Sequence, residues 1–216
     1  MTEQQSQTPP PLKVILASKS PRRRDLLKEA GIKFTVRTPI EPVDETLDAD
    51  DLMMPVEAVK KLAERKAGAL IQELIAENPQ GLFMVLGADT MVVKGGDIFG
   101  KPRNLDDAKR MLGELSGVSH DVITAVSVWM LAADGENVSL AYRTFADKSV
   151  VTFKELTEEG IIDYLRKGES FDKAGAYAIQ GEGRALVESY DGSLDTIVGF
   201  PVKRLIQEFP DIVSAI

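Results

Sequence analysis

Apolar residues along this chain come in three patterns: short unbroken runs, alternating runs and one long helical stripe. Val14-Ile15-Leu16-Ala17 reads as a short buried strand. Ser20 then suits an N-cap and Pro21 the first helical position, with Leu26, Leu27 and Ala30 as the buried stripe and Gly31 as the stop. From Pro55 to Asn78 the spacing predicts a long helix that buries Val59, Leu62, Ala63, Ala67, Leu70, Ile71 and Leu74. Gly81 to Gly87 predicts a buried strand. Met91-Val92-Val93 and Ile98-Phe99 flank Lys94-Gly95-Gly96-Asp97, a hairpin signal. Asn104 is placed to cap a helix to about Leu115, with Gly117 just past its end. His120 to Ala132 and Asn137 to Phe153 predict two long antiparallel strands about Ala133-Asp134-Gly135-Glu136. A Thr157-capped helix to near Gly168, a strand over Ala185 to Ser189 and a helix over Pro201 to Phe209 complete the series. Strands and helices mix without strict alternation, which predicts an α/β fold: a long twisted mixed sheet with flanking helices.

The chain has 216 residues, 44% of them hydrophobic and 28% charged, an ordinary globular composition. The first eleven residues, MTEQQSQTPPP, are polar and proline-rich, so residues 1–11 are expected to be a disordered tail and residues 12–216 one domain. Neither a signal peptide nor a membrane span is expected. The absence of cysteine excludes a thiol nucleophile, a disulfide framework and thiolate metal sites, and fits a cytoplasmic protein. A net charge of −8 argues against general affinity for nucleic acid or acidic membranes. A polyanionic substrate would therefore have to be attracted by a local cluster of cations.

Such a cluster opens the first helix. Arg22, Arg23 and Arg24 occupy its first turn, at the positive end of the macrodipole, where each cation costs a few tenths of a kcal/mol up to about 1. An anion bound there would reverse that sign, held by backbone N–H groups, the Ser18 and Ser20 hydroxyls and the guanidinium forks. A solvated basic turn is the plainer reading. Asp89 follows a buried run, where a carboxylate is costly unless it meets a metal, a proton or a partner; the alternative is a turn-capping aspartate. Lys101, in Gly100-Lys101-Pro102, follows the hairpin that returns the chain toward Asp89. Asp44-Glu45 lies in an irregular segment after Pro39 and Pro42, and Lys66 reads as a polar-face helix residue. Gln180 sits among Gly175, Gly181 and small residues. Its amide has the donor and acceptor to read the edge that thymine and uracil share, unless the segment is a plain surface loop. His120 is the sole histidine, which makes a Ser–His–Asp triad or a histidine-rich metal site improbable; it reads as structural, and Trp129 as core.

LASKSPRRRDLL, at residues 16–27, closely resembles the signature of the Maf family of nucleoside triphosphate pyrophosphatases. VDE at 43–45, LAERKA at 62–67, GADT at 87–90, GKP at 100–102 and DKAGAYAIQG at 172–181 extend the resemblance from about Lys13 to about Phe209. The closing segment departs from the family pattern at Asp195, Thr196 and Phe200. The resemblance implies a sheet bent into two lobes around a central cleft. It implies Asp89 as general base and Glu45, with Asp44 beside it, in organising metal or water. It implies Ser18, Ser20, Arg22, Arg23, Lys66 and Lys101 on phosphate, and Arg22, Thr90 and Gln180 at specificity positions. A divalent cation, Mg²⁺ or Mn²⁺, held by Glu45 and Asp89, and a homodimer are implied with them. The expected reaction is hydrolysis of dTTP and UTP to the monophosphate and pyrophosphate. The alternatives are a pyrophosphatase for a modified purine nucleotide, or a non-catalytic nucleotide-binding regulator of cell division.

Overall fold

The computed structural model describes residues 10–213, so most of the expected tail lies outside the described residues, and Pro10 and Pro11 are exposed. A seven-stranded mixed sheet forms the frame. β1 (Leu12–Leu16) runs parallel to β2 (Thr35–Val36) on one side and to β3 (Gln80–Lys94) on the other. β3 pairs antiparallel with β5 (Ser119–Asp134), β5 with β6 (Val138–Phe153), and β6 with β7 (Val187–Asp191). β4 (Asp97–Phe99) folds back on the end of β3 through the turn at Gly95 and Gly96, whose φ values of 60° and 99° need glycine.

The helices follow the expected starts. α1 (Pro21–Glu29) opens at Ser20, α4 (Leu105–Leu115) is capped by the Asn104 side chain on the Asp107 N–H, and α5 (Glu158–Arg166) by Thr157 on Gly160 N–H. α3 (Pro55–Ala76) buries Ala58, Val59, Leu62, Ala63, Ala67, Leu70, Ile71 and Leu74, the full expected stripe with Ala58 added. α7 (Val202–Glu208) lies where the last helix was expected. Among the described residues, no helix is long and apolar enough to cross a membrane.

The departures have physical causes. The strand expected to stop at Gly87 runs on to Lys94 as β3, fifteen residues in all, because its pairing with β5 is unbroken from Gln80 opposite Asp134 to Val93 opposite Asp121. Gly87 and Asp89 read locally as breaks, and the tertiary partner overrides them. β7 begins at Val187, not Ala185, because Gly181–Leu186 takes a 3₁₀ turn. β2, α2 (Ala49–Met53) and α6 (Leu194–Val198) were not expected; two- and five-residue elements are too short to show a period.

The two faces of the sheet are covered differently. Phe83, Val85, Met91 and Val93 of β3 pack under α3. Met84, Leu86 and Ala88 meet α1 and α7 in one core, whereas Val92 joins Phe99, Val122 and Phe153 in another with α4 and α5. These two cores part at Ala88–Val92, and the gap between them is where a site can form. Each fully buried Leu or Phe in them contributes about 1.5–3 kcal/mol.

Candidate active site

A cleft of about 750 Å³ opens at that parting. Ser18, Ser20, Arg22, Arg23, Glu45, Lys66, Asp89, Thr90, Lys101 and Gln180 all line it, although they come from six separate segments.

β1 ends opposite Leu86 and β4 first pairs at Val92, so the β3 edge between them has no strand beside it. Arg23 fills that gap. Its Nη1 donates to the Ala88 carbonyl at 2.9 Å and to Ser18 Oγ at 3.2 Å, its Nε to the Gly199 carbonyl at 2.8 Å, and its Nη2 to Thr90 Oγ1 at 3.3 Å. The burial of the guanidinium lowers its pKa, Arg22 adds to that, and Asp89 and Glu45 oppose it. This corrects the expectation that all the arginine forks face an anion at the helix start. Arg23 is mostly committed to the scaffold, and Arg24 does not line the cleft. Arg22 does, but it pairs with Asp172 at 3.3 Å across the cleft mouth.

The helix start itself keeps its capacity. Ser20 sits at the N-cap without a side-chain capping bond, the first turn carries no acidic residue, and Ser18 Oγ accepts from Ser20 N–H at 3.3 Å. The Ser20 hydroxyl and the first-turn N–H groups of Arg22 and Arg23 therefore remain for an anion.

On the other wall, side chains of β3 and α3 meet. Lys66 Nζ lies 2.5 Å from Asp89 Oδ1 and 2.8 Å from Glu45 Oε1. Lys66, expected on the polar face of its helix, is thus turned inward with only 16% of its side chain exposed. Asp89 is 15% exposed and Glu45 51%. Burial works to raise the Glu45 pKa, but the hydrogen bond and charge of Lys66, with Lys101 and Arg23 beyond it, outweigh burial and lower it. Asp89 is not at a strand end, as the sequence suggested; it lies within β3, just past the point where its parallel neighbour β1 stops. Asp44 does not join the pair: its carboxylate turns back to accept from Thr46 N–H at 2.9 Å, and it does not line the cleft.

The third wall carries Lys101 and Gln180. The Gly100 carbonyl accepts from Gly175 N–H at 3.0 Å, which ties the Lys101 segment to the Gln180 loop. That loop is anchored by Tyr177, whose hydroxyl lies 2.7 Å from His120 Nε2, with both rings edge-on to Phe153. His120 is buried and structural, as expected; burial lowers its pKa to about 4. Trp129, half-buried, stacks on Tyr142 at 4.3 Å away from the cleft. Gln180 is exposed, and among the described residues its amide has no hydrogen-bond partner. The structure leaves that amide able to turn over.

The atypical closing segment is built into the scaffold. Asp195 accepts from Thr196 N–H at 2.9 Å and Lys203 N–H at 3.0 Å, and Thr124 Oγ1 donates to the Thr196 carbonyl at 2.7 Å. These bonds set the turn that points the Gly199 carbonyl at Arg23. The sequence reading missed one participant, Asp172. An aspartate in a polar segment gives no signal by itself.

A helix start open to an anion, faced across a cleft by two carboxylates and two lysines, defines an α/β protein suited to a phosphorylated ligand. The chain belongs to the Maf family: the model described as Maf-like protein matches residues 13–212. It is similar to a dTTP/UTP pyrophosphatase of Citrifermentans bemidjiense, 42% identical over 193 residues that cover 89% of this chain and 92% of the relative. A dTTP/UTP pyrophosphatase of Bacillus cereus is 43% identical over 196 residues, covering 91% and 93%.

Proposed function

We propose that the protein hydrolyses dTTP and UTP between the α and β phosphates, releasing the nucleoside monophosphate and pyrophosphate. The observation that carries this reading is the Lys66 ammonium shared by Asp89 and Glu45, opposite the open start of α1. The names of the relatives supply the substrate.

In this reading the Ser20 hydroxyl, the first-turn N–H groups of α1 and Arg22 receive the phosphate chain. Arg22 exchanges its mostly exposed partner Asp172 for a phosphate oxygen. Lys101 adds a point charge from the opposite wall. Lys66 pins Asp89 by Oδ1, so Oδ2 is left to take a proton from the attacking water. That water adds to the α-phosphorus, the bond from the α-phosphorus to the bridging oxygen breaks, and pyrophosphate leaves. Arg23 acts as scaffold, holding the Ser18 loop against β3.

Two carboxylates converging on one cation are the donor set that Mg²⁺ or Mn²⁺ takes when phosphates complete its shell, and Glu45 and Asp89 are the residues that would hold it. No larger cluster of such groups occurs among the described residues, which suits an ion that arrives with its nucleotide. When bound it supplies charge neutralisation on the phosphates and a more acidic water. A homodimer is proposed on the family resemblance, and sedimentation velocity tests it.

The deciding experiment measures pyrophosphate release over a panel of nucleoside triphosphates, with Mg²⁺, with Mn²⁺ and in excess EDTA. Turnover of dTTP and UTP that stops in EDTA is expected. Nucleotide binding without turnover would favour the regulator, and a preference for purine nucleotides a pyrophosphatase for a modified purine nucleotide.

A further inference from the structure

Glu45 sits in a segment, residues 37–48, that forms neither helix nor strand. Its ties run largely to side chains of α3. Arg37 pairs with Glu77, and Glu73 accepts from Ile40 N–H at 2.7 Å. Lys61 reaches Asp48 at 3.5 Å and Asp51 at 2.7 Å. Between these ends one side chain holds the middle: Arg65 Nη1 donates to the Asp44 carbonyl at 3.1 Å and to the Thr46 carbonyl at 2.7 Å.

We infer that Arg65 is a positioning residue for Glu45, gripping the carbonyls on either side of it so that its carboxylate meets Lys66 and faces Asp89. Successive helix positions point about 100° apart. Arg65 therefore takes the backbone of the segment from outside while Lys66 takes the Glu45 carboxylate from inside the cleft. The Asp44 carboxylate on Thr46 N–H tightens the same turn. Glu45 has half its side chain exposed and, among the described residues, Lys66 as its one ion-pair partner, so its direction depends on how its backbone is held. Residues that orient a reacting or metal-holding carboxylate typically control about 10- to 100-fold in activity or metal affinity.

This rests on the proposed role of Glu45, and the test separates the two. Arg65→Ala, Arg65→Lys, Glu45→Gln and the double variant Arg65→Ala/Glu45→Gln are compared with UTP and Mg²⁺, and by hydrogen exchange of the free proteins. Arg65→Ala is expected to keep its circular dichroism and thermal midpoint, to lose about 10- to 100-fold in kcat with KM little changed, and to exchange the Thr46 amide faster. Arg65→Lys, with one ammonium for two carbonyls, should recover part of the rate. The double variant should be no slower than Glu45→Gln alone. Wild-type kcat and exchange in Arg65→Ala, or losses that multiply in the double variant, would overturn the inference while leaving Glu45 its role. Full activity in Glu45→Gln would overturn the role of Glu45 and the inference with it.

Discussion

Gly87 touches the backbone of α3: a Cβ built on it would lie 2.5 Å from the carbonyl oxygen of Ala63 and 2.7 Å from the Ala67 nitrogen. The helix can come this close only because Gly87 has no side chain, and Lys66 lies in the same turn of α3. Two residues along β3, on the same face, stands Asp89. The missing methyl group thus sets the distance at which ammonium and carboxylate meet. Gly87→Ala must push α3 outward, since backbone atoms cannot yield. Overpacking of this kind costs about 1–3 kcal/mol, and we expect a matching fall in thermal midpoint together with loss of most turnover. Wild-type stability and rate in Gly87→Ala would show that the helix position is not set here.

Asp89→Asn keeps the shape of the side chain and removes its charge. The fold and nucleotide binding should persist while kcat falls by about 10²- to 10⁴-fold, the usual contribution of a general base. Single-turnover measurement with dTTP gives the rate of the chemical step directly. A variant retaining a third of wild-type activity would exclude Asp89 as the base.

The neighbouring arginines should separate by phenotype. Arg22→Ala breaks a pair whose aspartate is mostly exposed, so it should weaken triphosphate binding, more steeply at low salt, with stability unchanged within about 0.5 kcal/mol. Arg23→Ala strips donors from the Ala88 and Gly199 carbonyls at once, while Thr90 keeps Thr124, and each buried group left without a partner costs about 1–3 kcal/mol. It should lower stability sharply as well as activity. Urea denaturation of both proteins decides this, and equal stabilities would contradict the scaffold role of Arg23.

His120 makes part of the stability depend on pH. Its pKa is about 4 in the folded chain, lowered by burial, against an ordinary value of 6.5. As pH falls below 6.5 the unfolded chain takes up the proton first, so stability is complete above 6.5 and is lost progressively down to about 4. The ceiling on that loss is about 3 kcal/mol. Asp107, held by Arg103 and Arg110, and the other carboxylates with lowered pKa lose their contribution from about pH 5 downward, so they overlap only the lower end of this window. His120→Gln should therefore flatten the dependence of unfolding free energy on pH between 6.5 and 4. Identical slopes for variant and wild type would place the acid sensitivity elsewhere.

What the sequence reveals here depends on how local the determinant is. The α3 stripe, the Asn104 and Thr157 caps and the Gly95-Gly96 turn are written in neighbouring residues, and each was read with boundaries good to a few positions. The unity of β3 was hidden because it depends on β5, some forty residues away in the chain. The candidate site residues were found through motifs, yet their arrangement was not. Nothing local distinguishes Arg22, left at the cleft mouth, from Arg23, which replaces a missing strand neighbour at Ala88. Lys66 looked solvated because its inward turn depends on Gly87 across the interface. Arg65 gave no signal because it binds backbone carbonyls, which leave no trace in side-chain pattern.

In the proposed reading, base choice depends on Gln180. Its amide has the acceptor and donors to match the N3–H and O4 edge shared by thymine and uracil. Cytosine offers an unprotonated N3 and an amino group there, the complement of a reversed amide. Because Gln180 is exposed and its amide has no internal partner among the described residues, reversal costs the protein no hydrogen bond. Purines differ in size, which reversal does not relieve. We therefore expect an ordered series in kcat/KM: dTTP and UTP highest, CTP and dCTP lower, and GTP and dGTP at least about tenfold below the best substrates, a conservative use of the selectivity that hydrogen-bonding sites reach. Gln180→Ala should compress the pyrimidine end of the series while leaving the purine penalty and the phosphate contribution to KM largely in place. Measuring kcat/KM for all six nucleotides with both proteins tests each step. A preference for guanine nucleotides in the wild type, or a pyrimidine order untouched in the variant, would remove Gln180 from base selection.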